Sequence, residues 1–221
     1  MEWATLDAAE FAVLFGTAKV LPPECVALIE QYDFGYRPMM PRERDRVLAD
    51  VLRHIGTRAF VKRAGPSGRE RWERGWGENL ARLRAEGSDL SALMPAYIRE
   101  RSTVRLRGRF VTARDPLFEA HWYEVFQEWL FREFFGAASV IYEFGCGSGI
   151  NLAKLAGIYP EKRYVGLDWV EASKQIVGAL GQRYGWHMEG RLFNFFSPDP
   201  TLEIEAGAVV FTLGALEQTG Q

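Results

Sequence analysis

One segment has the residue types and spacing of a ligand site: Glu143-Phe144-Gly145-Cys146-Gly147-Ser148-Gly149, which reads Glu-x-Gly-x-Gly-x-Gly. Glycines at this interval let the backbone close on a ligand and take positive φ, which a Cβ would hinder. Asp168 follows Gly149 by 19 residues. A carboxylate there can accept hydrogen bonds from two adjacent hydroxyls. Two competing chemistries fail on single residues. A dinucleotide loop needs a small sixth residue, and the sequence offers Ile150 or Leu152 in the two registers. A phosphate-cradling P-loop needs a following Gly-Lys-Ser/Thr, which is missing. The catalyst itself is not marked: His54, His121 and His187 are isolated, and Cys146 fills a position where a small residue suffices. His121 is the best placed of the three histidines. Neither zinc nor any other metal is indicated by ligand spacing.

The elements that must hold this loop alternate strand and helix. Val140–Phe144 reads as a strand entering the loop and residues 150–159 as a helix stopped before Pro160. Tyr164–Leu167 reads as a second strand closing on Asp168, and Val170–Tyr184 as a second helix. Arg191–Phe195 and Ala208–Leu213 supply a third and a fourth strand. Such alternation predicts right-handed crossovers and a mostly parallel sheet, with ligands beyond the carboxyl ends of the strands.

The first 135 residues read as mainly helical. Asp7 caps a helix to Lys19, Pro22-Pro23 open another to Tyr32, and residues 35–41 form a loop. A helix over Pro41–Ile55 carries Val47, Val51, Leu52 and Ile55 at helical spacing. After the breaker Gly65-Pro66-Ser67-Gly68, a helix over 69–85 presents Trp72, Trp76, Leu80 and Leu83 as a core stripe. Alternation around Gly108 predicts a short hairpin near 103–113, and Asp115-Pro116 starts a long helix to Phe135. The division expected is 1–135 as an extension and 136–221 as the ligand-binding core.

The segment Val140–Gly149 resembles motif I of class I S-adenosylmethionine-dependent methyltransferases. The resemblance covers about residues 137–218 and implies a Rossmann-like core. Glu143, Gly145, Cys146, Gly147 and Gly149 would line the methionine and ribose of the cofactor, S-adenosylmethionine. Asp168 would hold the ribose hydroxyls, with Trp169 beside the ribose and adenine or packing at the sheet edge. Asn194 stands where the family often has Asp, and its carbonyl can accept from the adenine amino group while Phe195 covers the ring. Val209–Gln218 resembles the strand-four end of small-molecule methyltransferases, with Leu213 and Gly214 flanking the sulfonium. Glu217 there is a first-turn acid of the next helix or a substrate contact. Trp72–Leu80 is similar to extensions of bacterial methyltransferases of surface-polysaccharide synthesis. That likeness implies a small-molecule or sugar-containing acceptor meeting Arg99, Arg101, Arg105, Arg107 and Arg109.

The alternatives are a non-catalytic cofactor-binding or partner-binding module, and an RNA methyltransferase using the arginines on phosphates. The signature of base-modifying amino methyltransferases is missing after the fourth strand. Between Arg37 and Arg114 stand 19 Lys and Arg against 9 Asp and Glu, a basic segment that suits an anionic partner or a solvated charged surface. No apolar stretch is long enough for a membrane span, no signal peptide is legible, and two distant cysteines make no disulfide framework, so a cytoplasmic protein is expected. The family's sheet has seven strands, whereas this sequence stops after four. It therefore reads as a fragment, or as a chain whose strand-four edge, Val209-Val210-Phe211, is covered by its own helices or by an oligomeric partner.

Overall fold

A computed structural model of the chain describes residues 2–55, 68–85, 89–95, 98 and 100–219. The fold is α/β, with one antiparallel and one parallel sheet of four strands each. Contacts divide it into two units: the described residues of 1–57 with 97–134, and those of 58–96 with 135–221. The helix over 69–84 therefore groups with the glycine-loop core and not with the segments that flank it in sequence.

In the first unit, β1 (Ala4–Thr5), β2 (Gly35–Pro38), β3 (Thr103–Leu106) and β4 (Arg109–Ala113) form the antiparallel sheet in the order β1-β2-β4-β3. The hairpin expected near 103–113 is present. Its turn residues Arg107 and Gly108 have φ of 49° and 76°, the left-handed pair a two-residue hairpin requires. The expected loop at 35–41 is instead partly strand: Tyr36, Arg37 and Pro38 pair with Ala113, Thr112 and Val111. Four residues containing Gly and Pro show no alternation to read. Pro38 is tolerated because β1 pairs only with Gly35 and Tyr36, so no ladder bond is needed on that side.

Helix α1 (Ala8–Phe15) begins where Asp7 accepts the Glu10 N–H at 2.9 Å. It stops before the expected Lys19 because Gly16, at φ 69°, takes the left-handed capping conformation. Helices α2 (Pro23–Gln31) and α5 (Phe118–Phe134) enclose Phe11, Cys25, Ile29, Phe34, Val111, Phe118 and Val125 in one core. Helix α3 (Pro41–Ile55) spans the residues expected, yet Val51, Leu52 and Ile55 stay exposed on it.

The second unit is built on the parallel sheet of β5 (Val140–Phe144), β6 (Arg163–Asp168), β7 (His187–Leu192) and β8 (Val209–Phe211). Its order is β7-β6-β5-β8, so the first strand lies between the second and the fourth. The third strand starts four residues earlier than expected and ends at Leu192. Its polar sequence hides it, and Gly190 marks where it runs against the backbone of Lys174, leaving no space for a Cβ.

Helices α6 (Ile150–Ile158) and α7 (Glu171–Tyr184) bury Leu152, Leu155, Ile176, Val177 and Leu180 completely. Each such side chain contributes ~1.5–3 kcal/mol of transfer free energy. Helix α4 (Arg69–Arg84) packs Trp76, Leu80 and Leu83 with Ala172, Ile176 and Leu180 of α7. Its stripe is core, as its spacing indicates; the breaker at 65–67 lies outside the described residues. On the other face of the sheet, Phe193, Leu202 and Ala208 cover Val140, Tyr142, Val165 and Leu167. Lys162, almost wholly buried, donates to the carbonyls of Phe135 and Ala138 at 2.9 and 2.6 Å, and also to that of Gly136. Burial lowers its pKa.

Candidate functional site

The carboxyl ends of β5 and β6 meet at the glycine loop. Gly145, Gly147 and Gly149 have φ of 75°, 53° and 71°, so the positive φ expected of the loop is adopted at all three. The carbonyl of Leu167, near the end of β6, accepts from Gly145 N–H at 2.7 Å and Cys146 N–H at 3.1 Å. Asp168 completes the junction: its Oδ2 accepts the Gly147 N–H at 2.8 Å and its Oδ1 the Val170 N–H at 3.3 Å. The two sequence features singled out for ligand binding are thus in direct contact. Gly149 ends the loop as the left-handed residue from which α6 departs.

Two carboxyls lie under this loop in different states. Glu143 is fully buried; its Oε1 accepts from Asn151 Nδ2 at 2.6 Å, and its Oε2 has no partner among the described residues. Burial, with the charge of Asp168 adding to it, pushes its pKa up to about 8. Asp168 is raised to about 6, chiefly by burial, with its backbone donors opposing. At pH 7 Asp168 is mainly the anion and Glu143 mainly the neutral acid, a buried O–H donor in search of an acceptor. Burial, with the charges of Asp168 and Glu143 adding to it, pushes the Cys146 thiol well above its ordinary range, which disfavours the thiolate.

The remaining residues arrive from the other strand ends. Phe195 lies beyond β7 with its ring centroid 6.2 Å from that of Phe144. Asn194 Oδ1 accepts the Phe196 N–H at 3.0 Å in a local turn, which takes one of the two acceptor sites of its carbonyl. Trp169 meets Phe196 with ring centroids 5.6 Å apart. After β8, Leu213 is half-buried and Gly214 has φ of 73°, while Glu217 begins the second position of a short 3-10 turn and lies exposed near Gly214.

Sequence reasoning missed three neighbours. A Cβ on Gly145 would collide with the Cβ of Ala215. One on Gly147 would stand 2.8 Å from Cζ2 of Trp76, which covers that glycine from α4. Glu73, one turn earlier on α4, accepts the N–H groups of Glu171 and Ala172 at 2.8 Å each, capping α7 just after Asp168. Its charge also contributes to raising Asp168. The tryptophan stripe marked α4 as core, but periodicity does not say which core.

Of the proposed acceptor residues, Arg101, Arg105, Arg107, Arg109 and His121 lie in the first unit and Glu217 in the second. Arg105 holds its guanidinium 6.0 Å from the Phe110 ring centroid, and Arg107 in the hairpin turn pairs with Glu10 at 3.4 Å. Arg101 pairs with Glu119, and Arg99 lies outside the described residues. His121 stacks on Tyr32 at 3.8 Å between centroids, and its Nδ1 is 2.9 Å from Asp115 Oδ2. Among the described residues there is no group of His, Cys, Asp and Glu that could hold a metal ion, and no helix long and apolar enough to cross a membrane. Compared with known proteins, the chain matches no family profile, no curated protein and no solved structure.

Proposed function

We propose that the second unit binds S-adenosylmethionine at the glycine loop and that the protein transfers its methyl group to a small-molecule or sugar-containing acceptor. One observation carries the reading. Parallel strands in the order third-second-first-fourth, the order of Rossmann-like halves, direct Glu143–Gly149, Asp168, Phe195 and Leu213-Gly214 to one end of the sheet. The residue types fit the cofactor. Asp168 accepts from the backbone at Gly147, Val170 and Trp169, and a carboxylate's remaining acceptor capacity suits a ribose hydroxyl. Glu143 leaves one buried carboxyl oxygen without a partner among the described residues at the base of the loop.

When bound, the cofactor supplies a methyl group made electrophilic by its positive sulfur. The chain's own part is alignment and exclusion of water. Asp168 would hold the ribose, Phe195 would cover the adenine, and the Leu213-Gly214 backbone would flank the transfer end. Cys25 and Cys146 are both buried and are not joined in a disulfide. Strand β8 is the outer strand of the described parallel sheet, an edge open to pairing with a further strand.

The contacts of Trp76 with Gly147 and of Ala215 with Gly145 favour a second reading, a non-catalytic module whose glycines serve protein packing alone. Methyl-labelled S-adenosylmethionine offered with nucleotide sugars, glycans and RNA separates the two. The proposal expects label in a small or sugar-containing acceptor, abolished by Asp168→Ala. Label in RNA alone would replace the acceptor class, and no label in any acceptor favours the module.

A further inference from the structure

We infer that Trp76 is a ligand-contacting residue of the glycine-loop site, covering Gly147 in the state seen here and moving onto an adenosine-bearing ligand when one enters. The inference rests on the proposed function and adds α4 to its site. Three carbons of the indole, Cζ2, Cε2 and Cη2, stand 2.8, 3.1 and 3.3 Å from where a Cβ of Gly147 would be. A ligand layer needs ~3.5–4 Å between carbon atoms. No ligand atom can therefore reach the middle of the loop from that side unless the indole withdraws by about that thickness.

The helix is built to permit this. Gly75 and Gly77 flank Trp76 inside α4, and a Cβ on either would meet nothing within 4 Å. Close packing therefore does not account for them. Each lowers the intrinsic helix propensity relative to Ala, at the turn that carries the indole. The turn before it is fixed, since Glu73 holds the first two N–H groups of α7. Trp72 stacks on Trp76 at 5.6 Å and 22°, giving the moving ring a parallel neighbour to slide against. An indole face suits a purine or a cationic sulfur, which selects an adenosine-bearing ligand over an acyclic anion.

The test uses the full chain labelled with 5-fluorotryptophan and titrated with S-adenosylhomocysteine. Seven fluorine resonances are available, and Trp76→Phe assigns the relevant one. The inference expects the Trp76 resonance to shift on binding and Trp76→Leu to weaken binding about fivefold or more. Hydrogen exchange of the α4 amides in the unsubstituted protein reads the same event should the variants not fold, and ligand is expected to change it between Glu73 and Leu80. Binding to the unsubstituted chain with the Trp76 resonance and α4 exchange both unmoved overturns the inference and leaves the proposed function standing. No binding to the unsubstituted chain overturns the proposed function and the inference with it.

Discussion

Substituting Gly147 by Ala tests how tightly the glycine loop is built. Gly147 sits at φ 53°, where an L-residue costs ~1–2 kcal/mol. Its new methyl would also stand 2.8 Å from Trp76 Cζ2, and overpacking of that kind costs ~1–3 kcal/mol. Gly185 provides the control in the same unit: its φ is 71° and a Cβ there meets nothing within 4 Å. Gly185→Ala should therefore show the backbone cost alone, and Gly147→Ala should exceed it by about 1–3 kcal/mol. Urea unfolding reads the difference in midpoint at constant slope. The excess should shrink when Gly147→Ala is made in a Trp76→Phe background, with a coupling of at least ~0.5 kcal/mol. A Gly147→Ala no costlier than Gly185→Ala, or an excess untouched by Trp76→Phe, would refute the reasoning.

Glu143→Gln should flatten the dependence of stability on pH. The folded pKa of Glu143 is raised from 4.5 to about 8, so the folded state holds the extra proton and stability falls as pH rises through that window, by up to ~1.4 kcal/mol per unit. Asp168, raised to about 6, makes stability fall with rising pH below about that value in both proteins. The comparison is therefore made between about pH 6.5 and 8, where denaturation midpoints should fall in the parent and hold nearly level in the variant. Glu73→Ala removes two N–H partners from the start of α7 and should lower stability by ~0.5–2 kcal/mol, measured by thermal unfolding. Ligand affinity should fall as pH drops below about 6, where Asp168 gains a proton and loses an acceptor, by up to about tenfold per unit in calorimetric titrations.

Local chemistry was legible in the sequence wherever one residue dictates backbone geometry. Asp7 as a cap, Arg107-Gly108 as a hairpin turn and the bounds of α3 all follow from such residues. So does the contact between the loop and Asp168, because adjacent parallel strands end side by side. Long-range choices were not legible. Gly35–Pro38 becomes a strand only because Ala113, Thr112 and Val111 present a ladder to it. The start of the third strand at His187 is hidden because His187–Arg191 is polar and only its neighbour α7 explains Gly190. Trp76 carried a correct signal of burial, but no periodicity could reveal that it is buried against the glycine loop.

The central claim is that this loop holds S-adenosylmethionine. Calorimetric titration of the full chain with S-adenosylmethionine and, separately, with NAD tests it most directly, repeated on Asp168→Ala. The account predicts saturable binding of S-adenosylmethionine, no comparable binding of NAD, and a loss of at least tenfold on Asp168→Ala, equivalent to ~1.4 kcal/mol. Binding of NAD alone, or S-adenosylmethionine binding indifferent to Asp168, would contradict it.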